Sequence, residues 1–397
     1  MYASSAINLR GHQGPQERRN AIINGDFNIC QRGEFNAYQF GFGETTLGST
    51  FEYTADRWRY FAVGTTIGVQ PEVVVSRKQH DIDGPKGFNP TSNHYLRVQT
   101  SGTGSSLSAL YGPATFANGE TTEAFLEQRI ENVKTLAGKS ATLSFKSRFT
   151  TVSGSSRVIS SALVQVFGTG ASNHDVDVPL SGATFQLGSD WAKYSHTFSV
   201  PDLAGKTLGD VGTETPTGYG NTASSYLAAR FYLQTGTAGD ATSDILGWNT
   251  GATEAIDFSQ VQLEAGEQST DFEQRSIGDE IRDCKRYFET IRGFVVTNGV
   301  IAVDSDVSEL IKMDEKRNNF WVARQIYGDW SSADPNRGIS ILHKEVDGFV
   351  IQITKTGVVG TLVENLSTGH NPNGGRPGSS KPNNVSGRIW VTVDSEL

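Results

Sequence analysis

Sulfur is nearly missing from this chain, with two cysteines and two methionines in 397 residues. Cys30 and Cys284 fit neither a metal spacing nor a disulfide framework, and read most simply as buried thiols of a protein folded in a reducing cytosol. Charge is also sparse. Only 19% of residues are charged, and 34 basic against 43 acidic side chains leave a net −9, which argues against duplex DNA or an anionic membrane as the main partner. No stretch approaches the roughly 18 apolar residues of a membrane span, and the opening MYASSAINLRGHQGPQERR has no apolar core for a secretory signal. Neither membrane insertion nor export by that route is expected.

Catalytic signatures are lacking too. The seven histidines are scattered without His-x-x-x-His, and there is no Cys-x-x-Cys or Gly-x-Ser-x-Gly. Gly102-Thr103-Gly104 and Gly168-Thr169-Gly170 lack the Lys-Ser or Lys-Thr that completes a phosphate-binding loop, and so read as turns. Carboxylates are plentiful, but nothing in their spacing singles out a pair held about 5 to 10 Å apart across a sugar. No fixed-period repeat supports a β-helical depolymerase. The expectation is a protein that is not an enzyme and has no cofactor.

What is present points to strands. The chain is 36% hydrophobic, with 44 glycines against 12 prolines and no Gly-X-Y period, a composition suited to short strands and tight turns. Four parts are expected: an attachment arm over residues 1–19, a β-sandwich over 20–270, a linking helix over 271–292 and a smaller β-domain over 293–397. The arm is largely polar, cannot form a core of its own, and should become ordered only on a partner. Strand signals include Val73-Val74-Val75, Tyr95-Leu96-Arg97-Val98, Ala141 to Phe145, Ala162 to Phe167, Tyr226 to Leu233 and Ile256 to Leu263. Leu143 and Phe145 alternate with Thr142, Ser144 and Lys146, as a strand with one face on the core and one in water requires. Beyond the helix, Gly348 to Thr354 and Ile389 to Val393 read as strands, and Gly369 to Ser386 as a long polar loop.

The helix itself opens at Ser276, whose hydroxyl can cap the N-terminus while Asp279 bonds back to it. Ile277, Ile281, Cys284, Phe288 and Ile291 then draw one apolar seam along about four turns. The seam needs a partner, either the preceding domain or a three-fold axis shared with sister chains.

Several motifs occur in a suggestive order. Ile22-Ile23-Asn24-Gly25-Asp26-Phe27-Asn28-Ile29-Cys30-Gln31-Arg32-Gly33 is followed by Tyr53-Thr54-Ala55-Asp56-Arg57-Trp58. Next come Gln128-Arg129-Ile130-Glu131, Leu136-Ala137-Gly138-Lys139, Phe167-Gly168-Thr169-Gly170 and Thr197-Phe198-Ser199-Val200-Pro201 with Ala204 to Gly209. Val261-Gln262-Leu263-Glu264-Ala265-Gly266, Cys284-Lys285-Arg286-Tyr287-Phe288 and the closing Val393-Asp394-Ser395-Glu396-Leu397 complete the series. Together they resemble a group of bacteriophage tail-fibre and virion proteins from about Ile22 onward. The chain departs from that pattern after the helix, where Met313-Asp314-Glu315-Lys316-Arg317 carries no proline.

The resemblance implies a jelly-roll sandwich like those of carbohydrate-binding modules, carried on a phage particle. It also implies a structural calcium, for which Asp26, Asn28 and Asp257 sit at roughly corresponding places; Asp26 and Asn28 serve equally as turn formers beside Gly25. Candidate sugar platforms are Trp58, Trp191 and Trp248, because an aromatic face suits the C–H groups of a pyranose. Trp58 reads first as a core residue and Trp191 as packing the sandwich edge, and Trp248, in a Gly-rich loop, is the better candidate for exposure. Three functions stay open: a homotrimeric tail fibre or receptor-binding protein, tethered to other virion proteins by its arm and adhering to host-surface polysaccharide through loops; a head fibre or decoration protein without ligand; and a polysaccharide-degrading enzyme. In each case the chain is made in the host cytoplasm and resides in the virion.

Overall fold

The computed structural model describes residues 19–32, 35–38, 49–64, 73–80, 93–100, 122–151, 157–168, 178–207, 225–235, 254–296, 307–312, 322–330, 338–345, 348–354 and 386–394. Two six-stranded antiparallel sheets dominate. The first runs in the order β1 (Phe35–Tyr38), β4 (Val73–Gln79), β5 (His94–Thr100), β12 (Glu254–Ala265), β7 (Ser140–Thr151), β10 (Ala192–Ser199). The second runs β2 (Ser49–Tyr53), β3 (Trp58–Gly64), β6 (Thr122–Glu131), β11 (Tyr226–Thr235), β8 (Arg157–Val166), β9 (Val178–Leu187). From β5 onward the chain crosses repeatedly between sheets, the winding of a jelly roll.

Alternation along each strand builds the core between the sheets. Leu96 and Val98 of β5, Leu143, Phe145 and Phe149 of β7, and Ile256 and Phe258 of β12 meet Leu126, Leu163, Leu227, Ala229 and Phe231 of the second sheet. Phe231 joins the sheets, with its ring 4.8 Å from Phe145 and 5.0 Å from Phe258. Trp58 and Tyr60 face inward, as their alternation with Arg59 requires.

Strand β12 breaks strict alternation. Its core residues are Ile256 and Phe258, then Val261 and Leu263, and a bulge between Ser259 and Gln262 supplies the extra residue, with Gln260 at φ 52°. The bulge receives the N-terminal segment: Val261 N–H donates to the Gly25 carbonyl at 2.8 Å. A Cβ on Gly25 would lie 2.1 Å from the Val261 carbonyl oxygen, so only glycine fits there.

The one helix among the described residues, α1 (Ile277–Lys285), starts as expected, with Asp279 N–H donating to the Ser276 hydroxyl at 3.2 Å. It is shorter than its apolar seam suggested. Phe288 and Ile291 fall in β13 (Phe288–Val296), which pairs with β18 (Ser386–Asp394); Tyr287, Phe288, Thr290 and Ile291 are aromatic or β-branched and favour the strand. The seam therefore divides. Cys284 and Phe288 are buried, whereas Ile277 and Ile281 are 56% and 36% exposed. Cys30 is half-buried rather than buried, and neither cysteine forms a disulfide.

Past the helix, β13, β18 and β15 (Val322–Trp330) form a three-stranded sheet, and β14 (Val307–Lys312), β17 (Gly348–Thr354) and β16 (Gly338–Glu345) form another. The expected strands at Gly348 to Thr354 and Ile389 to Val393 are both there, while 369–385 lies outside the described residues.

Two glycines separate steric need from composition. Gly25→Ala should lose about 1 to 3 kcal/mol or more through the clash with Val261. Gly188→Ala, with nothing within 4 Å of the added methyl, should stay within about 0.5 kcal/mol of the parent. Urea denaturation of both checks this, and equal losses would remove the close-approach explanation.

Candidate functional site

The outer faces of the two sheets differ in character. On the second sheet, Glu127 is wholly buried and meets Arg59 at 2.6 Å, Arg129 at 2.9 Å and Arg230. Burial alone would push its carboxyl up; Arg230, Arg59 and Arg129 together hold it well below the usual carboxylate range. The guanidinium of Arg129 lies 4.4 Å from the Tyr226 ring centre and that of Arg230 lies 4.7 Å from Phe125. Tyr287, just past α1, docks on this side. Its hydroxyl donates to Glu131 at 2.9 Å, and Arg57 stacks 3.5 Å from its ring centre. Burial pushes the Tyr287 phenol up to about 12. This face is an interior polar network, and the preceding domain is the partner of the buried part of the helix seam.

The first sheet presents a different face. Asp257 on β12 stands opposite Arg97 of β5 and Arg148 of β7. Arg97 grips it with two bonds, Nε to Oδ1 at 2.7 Å and Nη2 to Oδ2 at 2.8 Å, and Arg148 Nε reaches Oδ2 at 2.8 Å. Opposite charges on adjacent strands stabilise a sheet, so this triad needs no ligand to explain it. What it carries is less ordinary. The guanidinium of Arg148 lies 4.9 Å from the ring centre of Trp191, which meets His80 at 5.4 Å and, edge-on, Tyr95 at 5.5 Å. His80 and Tyr95 close the cluster at 4.9 Å. Trp191 and His80 are partly exposed and Tyr95 lies beneath them. Trp191 precedes β10 in the Gly188-Ser189-Asp190 turn, which is tied to β7 by Phe149 N–H donating to the Gly188 carbonyl at 2.8 Å.

The sequence candidates are thus separated. Trp58 is fully buried, with its indole N–H donating to the Asn24 carbonyl at 3.0 Å, so it is a core residue and cannot serve as a sugar platform. Trp191 stands on the aromatic face. Trp248 lies outside the described residues. Asp26 and Asn28 contact each other through their side chains, and Asn28 Oδ1 also meets His94 Nδ1 at 2.8 Å. Asp257 is committed to two guanidiniums, which neutralise the charge a calcium ion would need, and among the described residues no group of three or more acidic, His or Cys side chains is placed to hold a metal. The residues brought together here do not fit the expected calcium set.

Sequence reasoning missed His80, Tyr95, Arg97 and Arg148. Tyr95 and Arg97 alternate with the core residues Leu96 and Val98, so the same pattern that marked the strand also marked its outer face.

No family model matches the chain, and neither does any curated protein. Solved structures similar to it include a CBM4 structure, at 17% identity over 61% of this chain and 98% of that one with a TM-score of 0.26. A family 11 carbohydrate-binding module from Clostridium thermocellum is similar at 12% identity over 57% and 100%, TM-score 0.25. The N-terminal cellulose-binding domain of a Cellulomonas fimi β-1,4-glucanase is similar at 17% over 52% and 96%, TM-score 0.23. The likeness is weak, and the sandwich rests on the strand pairing described above. The resemblance to phage virion proteins is carried by the quoted motifs alone.

His80 gives this face a pH signature. Burial pushes its imidazole down to about 4, and the Arg148 charge pushes the same way. The unfolded chain therefore takes up a proton that the folded chain refuses, so stability contributed here is full above about pH 6.5 and is lost as pH falls towards about 4. His80→Gln should flatten the fall in unfolding free energy between about pH 6.5 and 5. Urea melts at stepped pH check this, and an unchanged slope would assign the titration to other groups.

Proposed function

We propose that the chain is a structural and adhesive component of a bacteriophage virion, a tail fibre or receptor-binding protein whose sandwich contacts host-surface glycans. The observation that carries the adhesive part is the face of Trp191, Tyr95 and His80 beside Arg97, Arg148 and Asp257. A part-exposed indole backed by two further rings offers sugar C–H groups an apolar plane, and the flanking guanidiniums supply donors for hydroxyls. The virion part rests on the ordered motifs from Ile22 to the C-terminus. A particle displaying many copies gains avidity from shallow sites, so no deep pocket is required. Among the described residues, the alternatives, a head fibre or decoration protein without ligand and a polysaccharide-degrading enzyme, have no comparable feature in their favour.

Trp191→Ala should weaken binding of the isolated chain to host-cell polysaccharide by about tenfold or more, the scale of an aromatic hot spot. The thermal melt, recorded alongside, should remain a single cooperative transition. Undiminished binding by a folded variant would reject this face as the site.

In this reading residues 1–19 anchor the chain and the exposed Ile277 and Ile281 face sister chains of a homotrimer. Arg19 and Asn20 are already held by the segment leading into α1, through Arg19 donating to the Asp271 carbonyl at 2.7 Å and Asn20 N–H donating to Glu273 at 2.7 Å. Particles assembled with a chain starting at Asn20 should therefore lack the protein while the purified truncated chain stays folded. Normal occupancy on the particle would place the anchor elsewhere.

A further inference from the structure

The face built on Asp257 is basic in a chain whose net charge is −9. Asp257 is shared by Arg97 and Arg148, so the triad carries surplus positive charge. Lys146 sits two residues from Arg148 along β7, on the same face, and is paired directly across strands with Lys193 of β10. Lysines in direct cross-strand register repel, so the pair concentrates positive charge on this face. Asp271 is the acidic group acting on Lys146, and Lys193 donates to the Thr270 carbonyl at 2.7 Å. Lys78 of β4 stands opposite Tyr95, extending the basic character across to the other side of the rings. Four strands thus place cations around one aromatic cluster; among the described residues Asp257, Asp271, Asp190 in the turn before Trp191 and Glu264 further along β12 are acidic.

We propose that this face binds an acidic polysaccharide, with a sugar ring lying on Trp191 and the carboxylate or phosphate groups of the polymer meeting Arg97, Arg148, Lys146 and Lys193. The inference rests on the adhesive reading above and specifies its ligand class. Arg97 gives its Nε and Nη2 to Asp257 and Arg148 gives only Nε, so the terminal nitrogens of Arg148 are the ones with two-point geometry for a ligand carboxylate or phosphate, while the lysines act as point charges that tolerate a variable sugar. An extended strand surface suits an extended polymer. The arrangement of rings among the cations favours stacked sugars with pendant anions over a duplex backbone, which offers no exposed ring.

The full chain is titrated at low and high salt with oligogalacturonate, poly(glycerol phosphate), a neutral cello-oligosaccharide of matched length, and oligothymidylate. Binding of either acidic polymer, weakened by salt, by Trp191→Ala and by about tenfold in Lys146→Gln/Lys193→Gln, is the expected result. The first two polymers distinguish carboxylate from phosphate as the anion. The double substitution removes a repulsive pair, so it should fold, and its melt is recorded to confirm this. Equal affinity for the neutral oligosaccharide, with Trp191 still required, would overturn the acidic assignment and leave glycan adhesion standing. Oligothymidylate bound as tightly as the acidic sugars would overturn the polysaccharide assignment. Absence of binding to all four probes and to host polysaccharide would overturn both this inference and the reading it rests on.

Discussion

Asn24 holds the sandwich closed. Its side chain accepts from Ile29 N–H at 2.9 Å and donates to the carbonyls of Ile29 at 2.8 Å and Asp56 at 3.0 Å, while its own carbonyl accepts the Trp58 indole at 3.0 Å. Its backbone N–H goes to Glu280 of α1. One buried amide thus joins the N-terminal segment, the entry to β3 and the helix, and every one of its bonds is made where water could not replace it. Asn24 has φ 56°, a conformation Asn tolerates better than most residues, and the following Gly25 allows the close pass over Val261. The Asn-Gly pair is there for these constraints, and Phe27, Trp58 and Phe231 stack behind it at 5.2 and 6.3 Å.

That knot gives two of the quoted motifs a structural meaning. Asn24-Gly25-Asp26-Phe27 and Asp56-Arg57-Trp58 form the inner scaffold, and Glu280 and Asp283 are clamped by Arg275, at 3.0 Å for Glu280. Burial raises the Glu280 and Asp26 carboxyls, which fits a structural latch between helix and sandwich. The face proposed to meet a ligand uses residues outside the quoted motifs. On that proposal framework and recognition are separated along the chain, the arrangement by which a scaffold can serve different ligands.

Much of the fold was legible in the sequence because alternation is a local signal. The strands at Val73, Tyr95, Ala141, Ala162, Tyr226 and Ile256 were all marked by their apolar faces, and the cap at Ser276 by its spacing to Asp279. The helix was overextended because Ile277, Ile281, Cys284, Phe288 and Ile291 keep helical spacing through a segment that pairs with β18, a partner about a hundred residues away that local periodicity cannot reveal. Trp191 is legible as a candidate, but the cluster around it is not, since Arg148, Asp257 and Arg97 meet only through cross-strand register. The resemblance puts Asp257 in a calcium set, whereas cross-strand register, which local sequence does not carry, gives it two guanidiniums.

Strand β12 links these conclusions physically. Before its bulge it turns Asp257 outward into the basic aromatic face; after the bulge it turns out Gln262 and Glu264, which receive Thr270 and Glu273 and so fix the approach to α1. The same half of the strand binds the chain's beginning, with Ala21 N–H donating to the Leu263 carbonyl at 2.8 Å and Leu263 N–H donating to Asn20 at 3.0 Å. In the adhesive role proposed, ligand and tether would therefore act on one continuous strand, central in its sheet and hydrogen-bonded on both sides. A pull between them would load many backbone bonds together. The bulge at Gln260 is what lets a single strand serve both ends, because unbroken alternation from Asp257 through that residue would place Gln262 and Glu264 in the core.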